Sequence, residues 1–152
     1  MVITIYEALR QSHDVQRSLC RRLVRVNPED NKRADTLKEL RIELAAHAAA
    51  EERYLYAPIL MDDMGLNSSR HALAEHHEID ELVEALVQAD PKGKSWPTKA
   101  RQLSHEVHHH LKEEETKFFQ VSGKILSDAQ KTKLAKQYLS DYQRMKKKLS
   151  QA

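Results

Sequence analysis

Apolar residues recur along this chain at steps of three and four, the repeat of an α-helix that buries one face. The first stripe, Leu9, His13, Gln16, Cys20 and Leu23, predicts a helix over 3–26, stopped by Asn27 and Pro28. The second, Leu37, Leu40, Leu44, His47, Glu51, Tyr54 and Pro58, predicts a helix from about Asp30 to Met64, closed by Gly65. Pro58 cannot donate to the Tyr54 carbonyl, so a kink is expected there. A third helix is expected after Asn67, Ser68 and Ser69, running to about Ala89, with Leu73, His76, Asp80, Val83 and Leu86 or Val87 inward. A fourth is expected over 98–122, with Leu103, Val107, His110, Glu114, Phe118 and Val121 inward. Ser127 and Gln130 have the spacing of a capping box and open a fifth helix. That helix carries Leu134, Tyr138, Tyr142, Met145 and Leu149 as a packing stripe and ends in the basic run Lys146, Lys147 and Lys148.

Strand-like alternation is absent, and only 3 Gly and 4 Pro interrupt 152 residues, so the expected class is all-α. Short connections make neighbouring helices antiparallel. The expectation is an up-down-up-down four-helix bundle over 1–123, with an additional C-terminal helix over 124–152 that packs on the bundle or on a partner. A net charge of +2 supplies no global field for nucleic acid, and none is expected as a partner. No apolar run approaches the roughly 20 residues of a membrane span, and the start lacks the features of a signal peptide. A cytoplasmic protein with no membrane partner, monomeric or homodimeric, is the expectation. The lone Cys20 can form neither an internal disulfide nor a cysteine-based zinc site.

The chemistry lies where the apolar stripes turn polar. His47 and Glu51 are one turn apart on one helical face, and so are His110 and Glu114. His13 and His76 sit singly on the other two stripes. The chain order is therefore His, His/Glu, His, His/Glu, a weak internal repeat. Ionised or polar groups at mid-bundle cost several kcal/mol, roughly, unless paired, and a bound cation supplies the missing charge. His13 and His47 can serve one metal ion, His76 and His110 a second, with Glu51 and Glu114 bridging. Imidazole and carboxylate without thiolate suit iron or manganese, and zinc is compatible.

At these residues the chain resembles the hemerythrin-like, HHE cation-binding proteins. The matching stretches run from Leu9 to His13, from His47 to Glu52, from Ala74 to Ile79 and from His110 to Glu115, and the resemblance spans about 3–122. It implies a four-helix bundle around two iron ions with an oxo or hydroxo bridge. By position it implies His13, His47, His76 and His110 as terminal ligands and Glu51 and Glu114 as bridging carboxylates. His76 is preferred over His77 because Ile79 and Val83 then keep the family spacing; His110 is preferred over His109 because Glu114 and Phe118 fall in line with it. The family's oxygen carriers have a further histidine where this chain has Asp80, which either ligates directly or accepts a hydrogen bond from a ligand imidazole.

The resemblance implies binding or sensing of dioxygen, peroxide, nitric oxide or iron, in storage, sensing or stress defence. Two alternatives stand beside it: an enzyme with peroxidase-like, catalase-like or oxidase turnover, and a regulatory module whose metals are structural. No catalytic residue is assigned. Tyr54, on the site face, is either an interior tyrosine or a proton source near the metals. Glu52 and Glu115 are expected to be surface charge, Glu75 and His77 solvated neighbours, and His71, His105, His108 and His109 surface or rim residues.

Overall fold

The computed structural model of the protein describes residues 2–27 and 31–152. Helix α1 (Ile5–Arg25) opens on a capping box in which the Thr4 hydroxyl accepts from the Glu7 amide and the Glu7 carboxylate accepts from the Thr4 amide. It ends where Val26 turns extended. The expected stop at Pro28 and the expected start near Asp30 lie outside the described residues. Helix α2 (Lys32–Glu51) passes directly into a widened turn (Glu52–Tyr56) and the short α3 (Ala57–Leu60). In that turn the Ala57 amide bonds the Glu52 carbonyl, five residues back instead of four.

Helix α4 (Leu66–Gln88) already contains Asn67, Ser68 and Ser69, although their composition predicts a start after them. Gly65 is its N-cap, and its φ of −98° is not that of a left-handed helix end. A Cβ on Gly65 would collide with the Ile59 side chain and carbonyl, so lack of room, not backbone freedom, calls for glycine here. Helix α5 (Trp96–Glu113) leads through a second widened turn (Glu114–Phe118) into α6 (Phe119–Ile125). Helix α7 (Asp128–Ser150) opens on the expected capping box, with Ser127 and Gln130 each satisfying the other's backbone amide.

Helices α1, α2, α4 and α5 pack in a closed ring, and α7 lies against α1 and α2. Among the described residues there is no strand, and no helix is long and apolar enough to cross a membrane. The core falls into two apolar halves. One gathers Leu19, Cys20, Leu23, Leu40, Trp96 and Leu103, among others. The other gathers Ile5, Leu9, Leu55, Ile59, Phe118 and Tyr138. Buried His13, His47, Glu51, His76, His110 and Glu114 belong to neither half.

Helix α7 docks through Tyr138, fully buried, and through a buried carboxylate on α2. Glu43 accepts from Ser12 at 2.7 Å and from Tyr142 at 2.5 Å, and pairs with Lys146 at 3.2 Å. A carboxylate 1% exposed needs such partners, because an unpaired one would be strongly destabilising.

Candidate metal centre

The six side chains singled out by spacing meet at one level of the bundle. His13, His47, Glu51 and Glu114 form one group whose potential ligand atoms all lie within 4.8 Å of one another. Glu51, His76, His110 and Glu114 form a second, so the two groups share both carboxylates. All six residues are buried.

Each imidazole has its two nitrogens in different roles. The Nδ1 atoms are held from outside the group: His13 by Glu115 at 2.6 Å, His47 by the Tyr138 hydroxyl at 2.8 Å, His76 by Glu52 at 2.9 Å, and His110 by Glu75 at 2.9 Å. A carboxylate can only accept, so Nδ1 carries the proton in at least three of the four, and Nε2 of the neutral ring keeps its lone pair. The Nε2 atoms of His13, His47 and His110 are buried without a hydrogen bond, as are both oxygens of Glu51 and Oε1 of Glu114. His13 Nε2 comes within 3.2 Å of Glu114 and His47 Nε2 within 3.1 Å of Glu51, yet neither approach has hydrogen-bond alignment. Buried acceptors with no donor are rare in folded proteins. Here several face one another, and a cation would satisfy them together. The donor set therefore fits a metal pair.

The electrostatics agree. Burial alone would lower the pKa of His13, but Glu114 and Glu115 more than offset it and raise it to about 9. For His76 burial again lowers, and Glu51 and Glu52 raise the value to about 10. Burial pushes Glu51 up, yet the His47 and His76 imidazoles hold it well below the usual carboxylate range. Glu115 is lowered to about 2: burial opposes, while His13 and Arg17, the latter at 2.8 Å, stabilise its charge. Without metal, the site draws protons onto its histidines to balance its carboxylates.

Several expectations need correction. Glu52 and Glu115 are not idle surface charge, and Glu75 is buried; all three orient ligand-type histidines. Tyr54 is only half-buried and faces Asp141 and Arg144 across a groove beside α7. The aromatic at the site is Tyr56, 1% exposed, whose hydroxyl donates to Glu114 and lies 3.3 Å from His76 Nε2. The widened turn accompanies this exchange: Tyr56, five residues after Glu51, reaches the site, while Leu55, four residues after it, is buried in the apolar core. The same register carries Phe119, five residues beyond Glu114, onto the His13 ring, stacked at 6.0 Å, and leaves Val121 only half-buried. Pro58 suits the first widened turn, but the second forms with no proline, so proline is not its general cause. Asp80 is exposed and belongs to neither ligand group. It lines a small cavity of about 10 Å³ with Gln16, His47, His76 and His110, and burial raises its pKa. Leu73 is half-buried, and Ala72 and Ile79 take the inward positions beside His76. His77 and His109 are largely exposed, so the rings that face inward are His76 and His110.

Two of the missed groups had a signal. Both motifs double the glutamate, Glu51-Glu52 and Glu114-Glu115, and the second member of each reaches the lone histidine of a neighbouring helix. Nothing in local spacing could have brought Tyr138 to His47.

A family model, the hemerythrin HHE cation binding domain, matches residues 4–121. The chain belongs to that family. In fold it is similar to an HHE cation binding domain-containing protein from Mycobacterium kansasii, with a TM-score of 0.85 at 21% identity, covering 96% of this chain and 89% of that one. It is also 26% identical over 149 residues to a DNA nickase from Nostoc sp. (strain PCC 7120), a match covering 98% of this chain. The chain spans 41% of that relative's length. Helix α7 lies beyond the family match, yet it supplies the Tyr138 hydroxyl to His47.

Proposed function

We propose that this HHE domain holds two iron ions and uses them to bind or sense dioxygen, peroxide or nitric oxide. His13 and His47 serve one ion, His76 and His110 the other, and Glu51 and Glu114 are shared. The observation that carries the reading is the division of labour in the histidines: every Nδ1 is engaged by the surrounding protein, while three Nε2 atoms and both shared carboxylates are left facing a common space. Iron with open coordination positions supplies electrons and a binding point for small oxidants.

The chain's own residues set what such a ligand meets. Tyr56 holds a proton on its hydroxyl beside Glu114 and His76; burial and the Glu114 and Glu51 charges push its pKa up, so it stays a donor. Phe119 closes the His13 side with a ring that has no donor. A cavity of about 240 Å³ lined by Glu75, His110, Glu114 and Phe118 reaches the His76–His110 half. A diatomic or peroxide fits such a space.

Anaerobic iron loading, followed by metal analysis and the visible spectrum before and after exposure to air, tests the proposal. Two irons per chain with oxo-bridge charge-transfer bands, lost in His47→Ala and Glu114→Ala, is the expected result. A folded chain that takes up no iron overturns it. A spectrum that reverses under vacuum assigns oxygen binding, and one that does not assigns oxidant chemistry or sensing.

A second reading rests on the Nostoc relative. Two cations sharing carboxylates is also an arrangement for phosphodiester hydrolysis. Relaxation of supercoiled plasmid by the metal-loaded chain, lost in Glu114→Ala, would support it; intact plasmid with iron, manganese or zinc would remove it.

A further inference from the structure

The spacing that builds the inner centre occurs again, one residue earlier on α5 and on the facing turn of α4. His109 and Glu113 are four residues apart, as are His71 and Glu75. The four side chains converge at the protein surface. His71 Nε2 lies 3.0 Å from Glu113 and 3.6 Å from Glu75. His109 Nε2 lies 3.2 Å from Glu113 and 3.7 Å from Glu75. The potential ligand atoms of His71, Glu75 and Glu113 fall within 4.8 Å of one another. Both imidazoles are more than half exposed, whereas Glu75 is 8% and Glu113 23% exposed.

We propose that His71, His109, Glu113 and Glu75 form a third cation site, distinct from the inner pair, for a divalent transition metal such as Zn²⁺, Co²⁺ or Fe²⁺. Two imidazoles and two carboxylates are the donor set that such ions accept at four-coordinate sites, and hard ions such as Mg²⁺ prefer oxygen alone. Two (i, i+4) pairs on adjacent helices bring the four side chains together on backbones the bundle already holds: His71, Glu75 and Glu113 converge as they stand, and the exposed His109 side chain turns in to complete the set. A lysine competes from one side: Lys117 Nζ is 4.0 Å from Glu113, on an exposed side chain that can swing away.

The location gives the site its interest. His71, Glu75 and Glu113 line the same cavity of about 240 Å³ that reaches His110 and Glu114. Glu75 belongs to both levels: Oε1 bonds His110 Nδ1 at 2.9 Å and Oε2 faces His71 and His109. A cation bound outside is thus one side chain away from an inner histidine, on the wall of the cavity that also borders His110 and Glu114.

Equilibrium dialysis of the full chain against Zn²⁺, with metal counted per chain, tests the site. The double variant H71N/H109N touches only exposed rings, and its helicity by circular dichroism should match the wild type. It is expected to bind one ion fewer than the wild type. Glu114→Gln, which leaves the outer four donors in place, is expected to keep that ion and to lose it once H71N/H109N is added. Equal stoichiometry in wild type and H71N/H109N across the Zn²⁺ range overturns the proposal and leaves an ion-pair cluster only. The inner assignment fails separately: a wild type with a single ion that disappears in H71N/H109N would refute the inner pair and support the outer site.

Discussion

Tyr138→Phe removes one oxygen atom and tests how far the metal centre extends beyond the family's own boundaries. The Tyr138 hydroxyl lies 2.8 Å from His47 Nδ1, and the tyrosine is fully buried. With a cation on Nε2, Nδ1 carries the proton and the hydroxyl oxygen accepts it. Phenylalanine keeps the ring, which meets His47 edge-on at 5.8 Å, so packing of α7 is preserved. The His47 Nδ1 proton is then buried without an acceptor. Loss of such a supporting contact typically weakens metal binding about 10- to 100-fold, or roughly 1.4–2.7 kcal/mol. The loss should fall on one ion of the pair, since His47 groups with His13 and not with His76 or His110. Competition titration of Zn²⁺ or Co²⁺ against a chelator would resolve a weakened step beside an unchanged one. Tyr142→Phe is the control: its hydroxyl serves Glu43, which belongs to neither ligand group, and phenylalanine keeps the ring stacked on Tyr138, so it should cost about 1 kcal/mol of stability and leave metal affinity alone. Unchanged affinities in Tyr138→Phe, or equal losses in both variants, would refute the reasoning.

Other outcomes follow from the same structure. Raised histidine pKa values stabilise the metal-free fold fully below the ordinary value of 6.5, and that contribution is lost as pH rises through about 9 and 10, the values of His13 and His76. Metal binding needs those protons gone, so affinity should climb over the same window; urea midpoints of apo and loaded protein from pH 6 to 10, roughly, should diverge, and parallel curves would contradict this. Gly65→Ala forces a methyl group into the Ile59 side chain and carbonyl and should cost about 1–3 kcal/mol in thermal or urea melts; a neutral result would mean the turn relaxes freely. Cys20 is fully buried and its thiol is pushed up to about 12 by burial, so iodoacetamide should label it only on unfolding; prompt labelling of the native protein would show an opening at α1.

What could be read from the chain ends where the helix changes its pitch. Up to Glu51 the three-four stripe on α2 is buried as its spacing demands, and the same holds on α5 up to Glu114. Beyond each glutamate an extra residue enters the turn, and a period of 3.6 then gives only part of the inward set: Phe118 is buried as the stripe demands, but Tyr56 and Phe119 also reach the site. The stripe points to Tyr54 where Tyr56 arrives, and to Val121 where Phe119 and Ser122 arrive. No propensity marks such a turn, since one copy contains Pro58 nearby and the other none. The second failure concerned residues about 100° from the inward stripe. A lone helix leaves Glu52, Glu75 and Glu115 to solvent, because it offers nothing else on that side. In a bundle that direction is the seam with the next helix, where His76, His110 and His13 wait. The stripe through Tyr138 and Tyr142 marks α7 as a packing helix, but no local pattern seats it on His47 and Glu43.

The two ligand groups are related by the repeat in sequence but not by what covers them. Across the repeat, Tyr56 corresponds to Phe119: each stands five residues after a shared glutamate, and each lies against the lone histidine of a neighbouring helix. Only the tyrosine brings a hydroxyl. The supports of His13 and His76 are matched carboxylates, Glu115 and Glu52, but Arg17 neutralises the first and no cation pairs with the second among the described residues. His47 leans on a neutral phenol and His110 on a carboxylate. The His13–His47 half is therefore capped by apolar and neutral groups and sealed by α7. The His76–His110 half carries more negative charge, a proton donor and the larger cavity. Two cations placed here would be inequivalent from the start, the second more strongly held by charge and more accessible to a small ligand. A symmetric repeat has been made into a one-sided site by the hydroxyl of Tyr56 and the docking of α7.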